Sequence, residues 1–159
     1  MSKIWIKSHL NYLYKLNYIL LFVSAIIYLV YVYLNTSKIY NFESFAETLQ
    51  LNPKFAVIIM LASINALVGW YLWTKERIFM MNLKTICLWL FVLICCQAFL
   101  LNLVLTIESI LLLTSAVLNH KNFNKEASFS LPSFILLLFV LGIYLLCFYL
   151  MLNLSLIHI

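Results

Sequence analysis

One carboxylate stands inside a long apolar stretch of this sequence. Residues 99–119, FLLNLVLTIESILLLTSAVLN, are uncharged and mostly apolar apart from Glu108. An acidic side chain at the centre of a membrane helix costs roughly 2.5–3.5 kcal/mol to insert, and each neighbouring Leu or Ile returns only a few tenths of a kcal/mol. A carboxyl group in a low dielectric favours its protonated form, so its proton is held or released according to the charge of a neighbour. Glu108 is therefore a candidate proton relay.

A structural role for the same residue stays open. A protonated Glu can hold two helices together through a hydrogen bond, and we expect Asn65 or Asn102 as its partner. Asn65 taken alone is interpreted as a helix-packing amide.

The composition indicates an integral membrane protein of the all-α class. Of the 159 residues, 66% are hydrophobic and 9% are charged, and the mean hydropathy is +1.06, whereas an ordinary soluble domain is about half apolar. The net charge of +5 comes from Lys and Arg at the flanks of the apolar runs, which favours anchoring at a lipid surface. No basic face interleaves with aromatic residues, so nucleic-acid binding is not expected.

The cysteines offer no metal or redox motif. None forms a C-x-x-C pair or a metal-ligand spacing with His. We interpret them as small buried hydrophobic residues. All lie inside apolar runs, at Cys87, Cys95, Cys96 and Cys147.

The apolar runs predict about five transmembrane helices, with four as the alternative. The first span covers residues 17–34, preceded at 2–16 either by a short interfacial helix or by a basic flank. A polar connection follows, with a surface helix beginning near Asn41. The second span covers 55–73 and ends in WYLWTKER, which places aromatic rings and then charge at the interface. The last span covers 131–154 and opens with Pro132, a residue that suits the first turn of a helix.

The third apolar run is too long for one span. Residues 85–118 contain no Lys, Arg, Gly or Pro, and as one straight helix they would measure about 50 Å against a hydrocarbon core of about 30 Å. We therefore predict a tight turn between about residues 96 and 102, marked by Gln97 and Asn102, and two spans at 82–96 and 99–119. In the alternative, one span at 85–105 continues as a helix outside the membrane, although SILLLTSAVL has no charged face for water to wet.

Read as three helices, residues 81–154 resemble a family of small membrane subunits of respiratory complex I. The segment MNLKTICLWLFVLICCQAFLLNLVLTIESILLLTSAVLN is similar to the first two helices of chain 4L of NADH–ubiquinone oxidoreductase, called subunit K in bacteria. Glu108 falls where that family has its embedded proton-channel Glu. The family's second Glu has no equivalent in FVLGIYLLCF, where Tyr144 stands at about its place. Residues 1–80 have no counterpart and form, by this division, an N-terminal extension with two spans.

The resemblance implies a non-redox subunit of a proton-translocating NADH:quinone oxidoreductase. Glu108 would belong to the proton path, facing protein near mid-membrane with an ionisable group or water on a neighbouring subunit. Tyr144 would supply a hydroxyl in place of the missing carboxylate, or else face lipid or a partner. The chain has no cysteine set or Gly-rich loop for an iron–sulfur cluster or flavin, so we expect it to bind no cofactor. Its partners would be other membrane subunits and the lipid bilayer.

Two other classes of membrane protein share some of these features. A rotary-ATPase proteolipid also carries a carboxylate inside a helical hairpin, but such hairpins pack through many glycines, and here there are only Gly69 and Gly142. A small non-catalytic membrane protein, such as a bacteriocin-immunity or assembly factor, remains the alternative, with Glu108 joining two helices. The abundance of residues with AT-rich codons favours a mitochondrial inner membrane, with a bacterial plasma membrane as the alternative.

Overall fold

The chain is helical throughout the part that the structure describes. A computed structural model describes residues 2–39, 52–119 and 131–156, in which there is no strand. The predicted all-α class is confirmed for these residues. The helices are α1 (Ser2–Ile39), α2 (Pro53–Thr74), α3 (Glu76–Met81), α4 (Leu83–Phe99), α5 (Leu103–Leu118) and α6 (Leu131–Leu156).

Within the described ranges, three helices are long and apolar enough to cross a membrane, judged by length and composition. They cover His9–Thr36, Pro53–Thr74 and Leu131–Leu154, whereas α4 and α5 are shorter apolar helices of 17 and 16 residues. The bounds predicted for the second and last spans agree with α2 and α6. A separate interfacial helix at residues 2–16 is wrong, because α1 runs without a break from Ser2 to Ile39. The surface helix expected near Asn41 lies outside the described residues.

The chain reverses between α4 and α5, as the length argument predicted. Leu101 takes the left-handed conformation that makes the reversal, with φ of 57°, which non-glycine residues adopt uncommonly. The side chain of Asn102 caps α5 by accepting a hydrogen bond from the backbone N–H of Leu105 at 3.5 Å. Gln97 does not belong to the turn: it lies in the last turn of α4, and its side chain is buried.

The first two helices pack antiparallel at close range. Near one end, the Tyr14 hydroxyl donates to the Leu72 carbonyl at 2.7 Å. Between them lies Gly69, where a Cβ atom would meet the Tyr18 carbonyl oxygen at 3.2 Å and the Leu21 Cβ at 3.3 Å. The absence of a side chain at residue 69 therefore sets how closely α2 approaches α1.

An aromatic cluster fixes the corner where α2, α3 and α4 meet. Phe79 of α3 is buried, and its ring lies 5.8 Å from that of Trp89 and 6.1 Å from that of Tyr14, centroid to centroid. Tyr71 stacks on Trp89 with centroids 5.1 Å apart. Such offset and edge contacts add to the burial of apolar area. The cluster therefore sets where α4 starts relative to α2.

The buried face of α1 determines which of its polar residues lie inside the bundle. Buried side chains recur along it at intervals of three or four residues as far as Ala25 and then, past the half-buried Tyr28, at Val32, which is the spacing of one helix face. Asn17 falls on this face between two large buried side chains. The face consists of Leu10, Tyr14, Asn17, Leu21, Ala25 and Val32.

Replacing Gly69 by Val tests the close approach of α1 and α2. We expect Gly69→Val to lower the free energy of unfolding by about 1–3 kcal/mol, because its methyl groups would overlap α1. The matched control is Gly142→Val in α6, where an added Cβ meets no atom within 4 Å; we expect it to change the free energy by at most about 0.5 kcal/mol. Unfolding by SDS in mixed micelles, followed by tryptophan fluorescence, measures both. Equal losses in the two variants would show that Gly69 does not set the helix separation.

Candidate functional site

Glu108 faces the inside of the bundle, and its hydrogen-bond donor comes from the first helix. The Glu108 side chain is 5% exposed, and that of Asn17 is 1% exposed. Asn17 Nδ2 donates to Glu108 Oε2, and it also donates to Ser109 Oγ at 2.9 Å. We call Asn17, Glu108 and Ser109 the acid cluster. It joins α1 to α5 through side chains more than 90 residues apart in the sequence.

Sequence reasoning missed this donor. It proposed Asn65 and Asn102 as partners of Glu108, and the structure gives each of them other contacts. Asn17 was named only as the first residue of the first span. The signal that could have found it is the three-to-four spacing of Tyr14, Asn17 and Leu21, which puts all three on one face of α1.

The acid cluster leaves two acceptor atoms without a donor. Among the described residues, Glu108 Oε1 and Asn17 Oδ1 are buried with no hydrogen-bond partner. An ionised carboxylate only accepts hydrogen bonds, whereas a protonated one carries an O–H donor. The donor that the structure gives to Glu108 is a neutral amide. The cluster can therefore hold one proton, on the carboxyl oxygen that Asn17 does not bind.

A second polar cluster lies deeper along the same helices and contains Tyr144. The Tyr144 hydroxyl donates to Asn65 Oδ1 and accepts from Gln97 Nε2 at 3.1 Å. Gln97 Nε2 also donates to Asn65 Oδ1 at 3.1 Å, and Asn65 Nδ2 donates to Ser24 Oγ at 3.0 Å. We call Ser24, Asn65, Gln97 and Tyr144 the amide cluster. It ties together α1, α2, α4 and α6.

The structure keeps the two clusters apart. Asn17 and Ser24 lie on the same helix, seven residues apart, which corresponds to roughly 10 Å along its axis. Leu21, which is 1% exposed, lies between them on the inner face of α1. Tyr144 thus has its hydroxyl inside the protein, with polar partners of its own, and Glu108 is not one of them.

The cysteines contribute no metal site in the residues that the structure describes. All four are free thiols, with Cys96 and Cys147 buried. Across 2–39, 52–119 and 131–156, no group of three or more His, Cys, Asp or Glu is placed to hold a metal ion.

Removing one hydroxyl tests whether the amide cluster stabilises the bundle. We expect Tyr144→Phe to lower the free energy of unfolding by about 1–3 kcal/mol, because Gln97 and Asn65 each lose a hydrogen bond inside the protein. Tyr149→Phe in the same helix is the control, since Tyr149 is 61% exposed, and we expect at most about 0.5 kcal/mol there. The measurement is SDS unfolding of each variant beside the parent. If Tyr144→Phe unfolds like Tyr149→Phe, the cluster contributes nothing to stability.

Comparison of the chain with family models, with curated proteins and with solved structures finds no match.

Proposed function

We propose that this chain is a multi-pass membrane protein in which Glu108 exchanges a proton, as a non-redox subunit of a proton-translocating NADH:quinone oxidoreductase. The observation that carries the proposal is the state of that carboxyl group. It is the one buried carboxyl among the described residues, with one oxygen bound by Asn17 and the other free of a partner there. The reaction that we propose, proton translocation coupled to NADH:quinone oxidoreduction, is taken from the resemblance of residues 81–154 to the chain 4L family.

The outer surface of the helices supports a membrane environment. Large apolar side chains cover the outward faces of α1 and α6, including Ile26, Ile27 and Phe139, each more than half exposed. A soluble monomer rarely shows contiguous apolar surface of this kind. Contact of this apolar surface with acyl chains would avoid the free-energy cost of its contact with water.

Proton exchange at Glu108 would use the two carboxyl oxygens differently. The Asn17 amide donates to Oε2, so this oxygen stays an acceptor and the proton resides on Oε1. When the proton leaves, the same N–H stabilises the carboxylate that remains, because a hydrogen bond to a charged acceptor is stronger than one to a neutral acceptor. The amide alone does not offset the full cost of an ion in this environment. A polar or ionisable group on a neighbouring subunit would complete the path.

Tyr144 has a narrower role in this proposal. A phenol with a reference pKa of about 10 keeps its proton at neutral pH, and here the hydroxyl is fixed between Gln97 and Asn65. It would therefore orient the amide cluster rather than carry protons. The partners remain membrane subunits and lipid, and the location is the mitochondrial inner membrane or a bacterial plasma membrane.

A second function is favoured by the hydrogen bond between Asn17 and Glu108. It joins two helices that are distant in the sequence, which is what a packing contact in a non-catalytic membrane protein would do. In that protein, of the immunity or assembly-factor kind, Glu108 stays protonated and exchanges nothing. The two functions predict different consequences of removing its proton.

Substitution of Glu108 separates proton exchange from packing. Glu108→Gln keeps the size and the acceptor for Asn17 but has no titratable proton. We expect it to assemble with its partners and to lower NADH-linked proton pumping by about 100-fold or more, while Glu108→Asp retains part of the activity. Ser109→Ala is the control, because it changes the acid cluster and keeps the acid. Pumping measured in reconstituted vesicles decides: a Gln variant that assembles and pumps like the parent leaves only the packing role.

The helix directions, taken with the positions of Lys and Arg, also predict the orientation in the membrane. The Tyr14–Leu72 and Tyr71–Ser133 hydrogen bonds and the stacking of Tyr71 on Trp89 all lie at one end of the bundle. The starts of α1, α4 and α6 and the ends of α2 and α5 are therefore at this end. The opposite end has Lys38 and Lys54. By sequence, the first end has Lys3, Lys7, Lys15, Lys75, Arg77 and Lys84, and the segment between the end of α5 and the start of α6 contains Lys121 and Lys125.

The positive-inside rule places the more basic end in the cytoplasm or matrix. We expect a reporter fused after Ile159, at the less basic end, to lie on the other side. In a bacterial host, alkaline phosphatase fused there should be active and green fluorescent protein should be dark. The reverse pattern would contradict this orientation.

A further inference from the structure

Three basic side chains surround the short helix α3 at the more basic end of the bundle. Lys75 directly precedes α3, Arg77 lies within it, and Lys84 follows in the first turn of α4. All three side chains are exposed. Because α3 has six residues and is therefore only about 9 Å long, the chain brings the three charges close together. We call Lys75, Arg77 and Lys84 the basic corner.

The aromatic cluster holds α3 in one orientation. Phe79 is buried, and its ring packs against those of Tyr14 and Trp89. Arg77 and Met81 are each two residues from Phe79, which places them on the opposite side of a helix with 3.6 residues per turn. Met81 is 61% exposed. The outer face of α3 therefore presents a cation beside an apolar side chain, and contacts inside the protein fix this face.

The acidic residues of the described part of the chain do not neutralise the basic corner. That part contains two of them, Glu76 and Glu108. Glu108 is inside the bundle. Glu76 is half-buried, and its carboxylate acts electrostatically on the hydroxyls of Tyr14 and Tyr18 in α1. One inward-facing carboxylate therefore stands against three exposed cations.

The charges of the remaining segments do not provide a counterpart either. By sequence, the segment between the end of α5 and the start of α6 contains Lys121 and Lys125 against one acid, Glu126. Glu43 and Glu47 belong to the segment between the end of α1 and the start of α2, the helix ends farthest from the basic corner. A negatively charged partner for the basic corner therefore has to come from outside this chain.

The apolar side chains beside the basic corner indicate what kind of partner fits. Trp70 and Trp73, near the end of α2, are each more than half exposed, and Ile78 of α3 is 49% exposed. Tryptophan at the end of a membrane helix lies at the level of the lipid headgroups. A small anion would leave this apolar surface in water, and a second copy of the same surface would bring more positive charge. A phospholipid with an anionic headgroup matches both the cations and the apolar side chains.

We propose that the basic corner binds the headgroup of an anionic phospholipid in the adjacent leaflet, with the acyl chains of that lipid against Trp73 and Ile78. Arg77 offers a planar set of N–H donors, and each Lys offers a compact point charge; both kinds of group bind phosphate. This inference rests on the membrane location in the proposed function and not on proton exchange at Glu108. Failure of the Glu108 experiment therefore leaves it unaffected.

Quenching of tryptophan fluorescence by brominated lipids measures the headgroup preference of the whole protein. The protein is reconstituted in vesicles of phosphatidylcholine and phosphatidylglycerol, with bromine on the acyl chains of one lipid or of the other. Trp5→Phe is present in every sample. The signal then comes from the exposed Trp70 and Trp73 and from the buried Trp89, so it reports on lipids beside the basic corner.

Two double variants with the same change in net charge are compared. Arg77→Gln/Lys84→Gln removes two charges of the basic corner. Lys3→Gln/Lys7→Gln removes two charges that, by sequence, belong to the same end of the bundle. Each Lys or Arg near an anionic surface strengthens the attraction by a factor of about five. SDS unfolding of both variants shows that they fold, and Lys75→Gln/Arg77→Gln replaces the first if it does not.

We expect the parent to prefer phosphatidylglycerol to phosphatidylcholine. Arg77→Gln/Lys84→Gln should lower this preference by about five-fold or more, and Lys3→Gln/Lys7→Gln by less than about two-fold. Equal losses in the two variants would show only a general attraction of the basic end and would overturn the proposal, as would a parent without a preference. Absence of quenching by either lipid would mean that a protein partner covers the surface, and would also overturn it.

Discussion

A polar side chain in the interior of this bundle has to find its partner in the protein, and the Asn17–Glu108 hydrogen bond is where that constraint acts most strongly. An acid without a partner in a medium of low dielectric costs several kcal/mol. The bond fixes the register of α1 against α5, because a shift of one residue would remove Asn17 from the buried face. The same register places Ser24 two turns further along, where it meets Asn65. Both polar clusters therefore depend on how α1 is placed.

The hairpin follows from a second constraint, the mismatch between the length of an apolar run and the thickness of a bilayer. A run of about 50 Å cannot cross a core of about 30 Å as one helix, and the chain reverses at Leu101. The reversal brings Gln97 and Asn102 to the depth of the amide cluster and of Tyr28. It also lets α5 return past α1 so that Glu108 reaches Asn17. The acid cluster can therefore form only because the chain reverses at Leu101.

The sequence was sufficient for the features that follow from length and composition, and insufficient for those that need packing. The all-α class, the bounds of α2 and α6 and the reversal near Asn102 were predicted, because apolar runs and their polar ends determine them. The partner of Glu108 was not predicted, because the sequence marks Asn17 only as the start of the first span, whereas in the structure the buried face of α1 begins already at Leu10. The contact of Tyr144 with Gln97 and Asn65 needs three helices to be placed, and no local pattern encodes that. Gln97 was interpreted as a turn residue because a polar side chain near a predicted break resembles a loop signal.

The central claim is that Glu108 changes its protonation state, and infrared difference spectroscopy measures that directly. In the assembled, reconstituted protein, the carbonyl stretch of a protonated carboxyl group can be followed before and during NADH-driven turnover. The account predicts a band that is present in the parent, absent from Glu108→Gln, shifted in D₂O and reduced during turnover. A band with the same assignment that keeps its intensity throughout turnover would show that Glu108 holds its proton permanently, and would contradict the account.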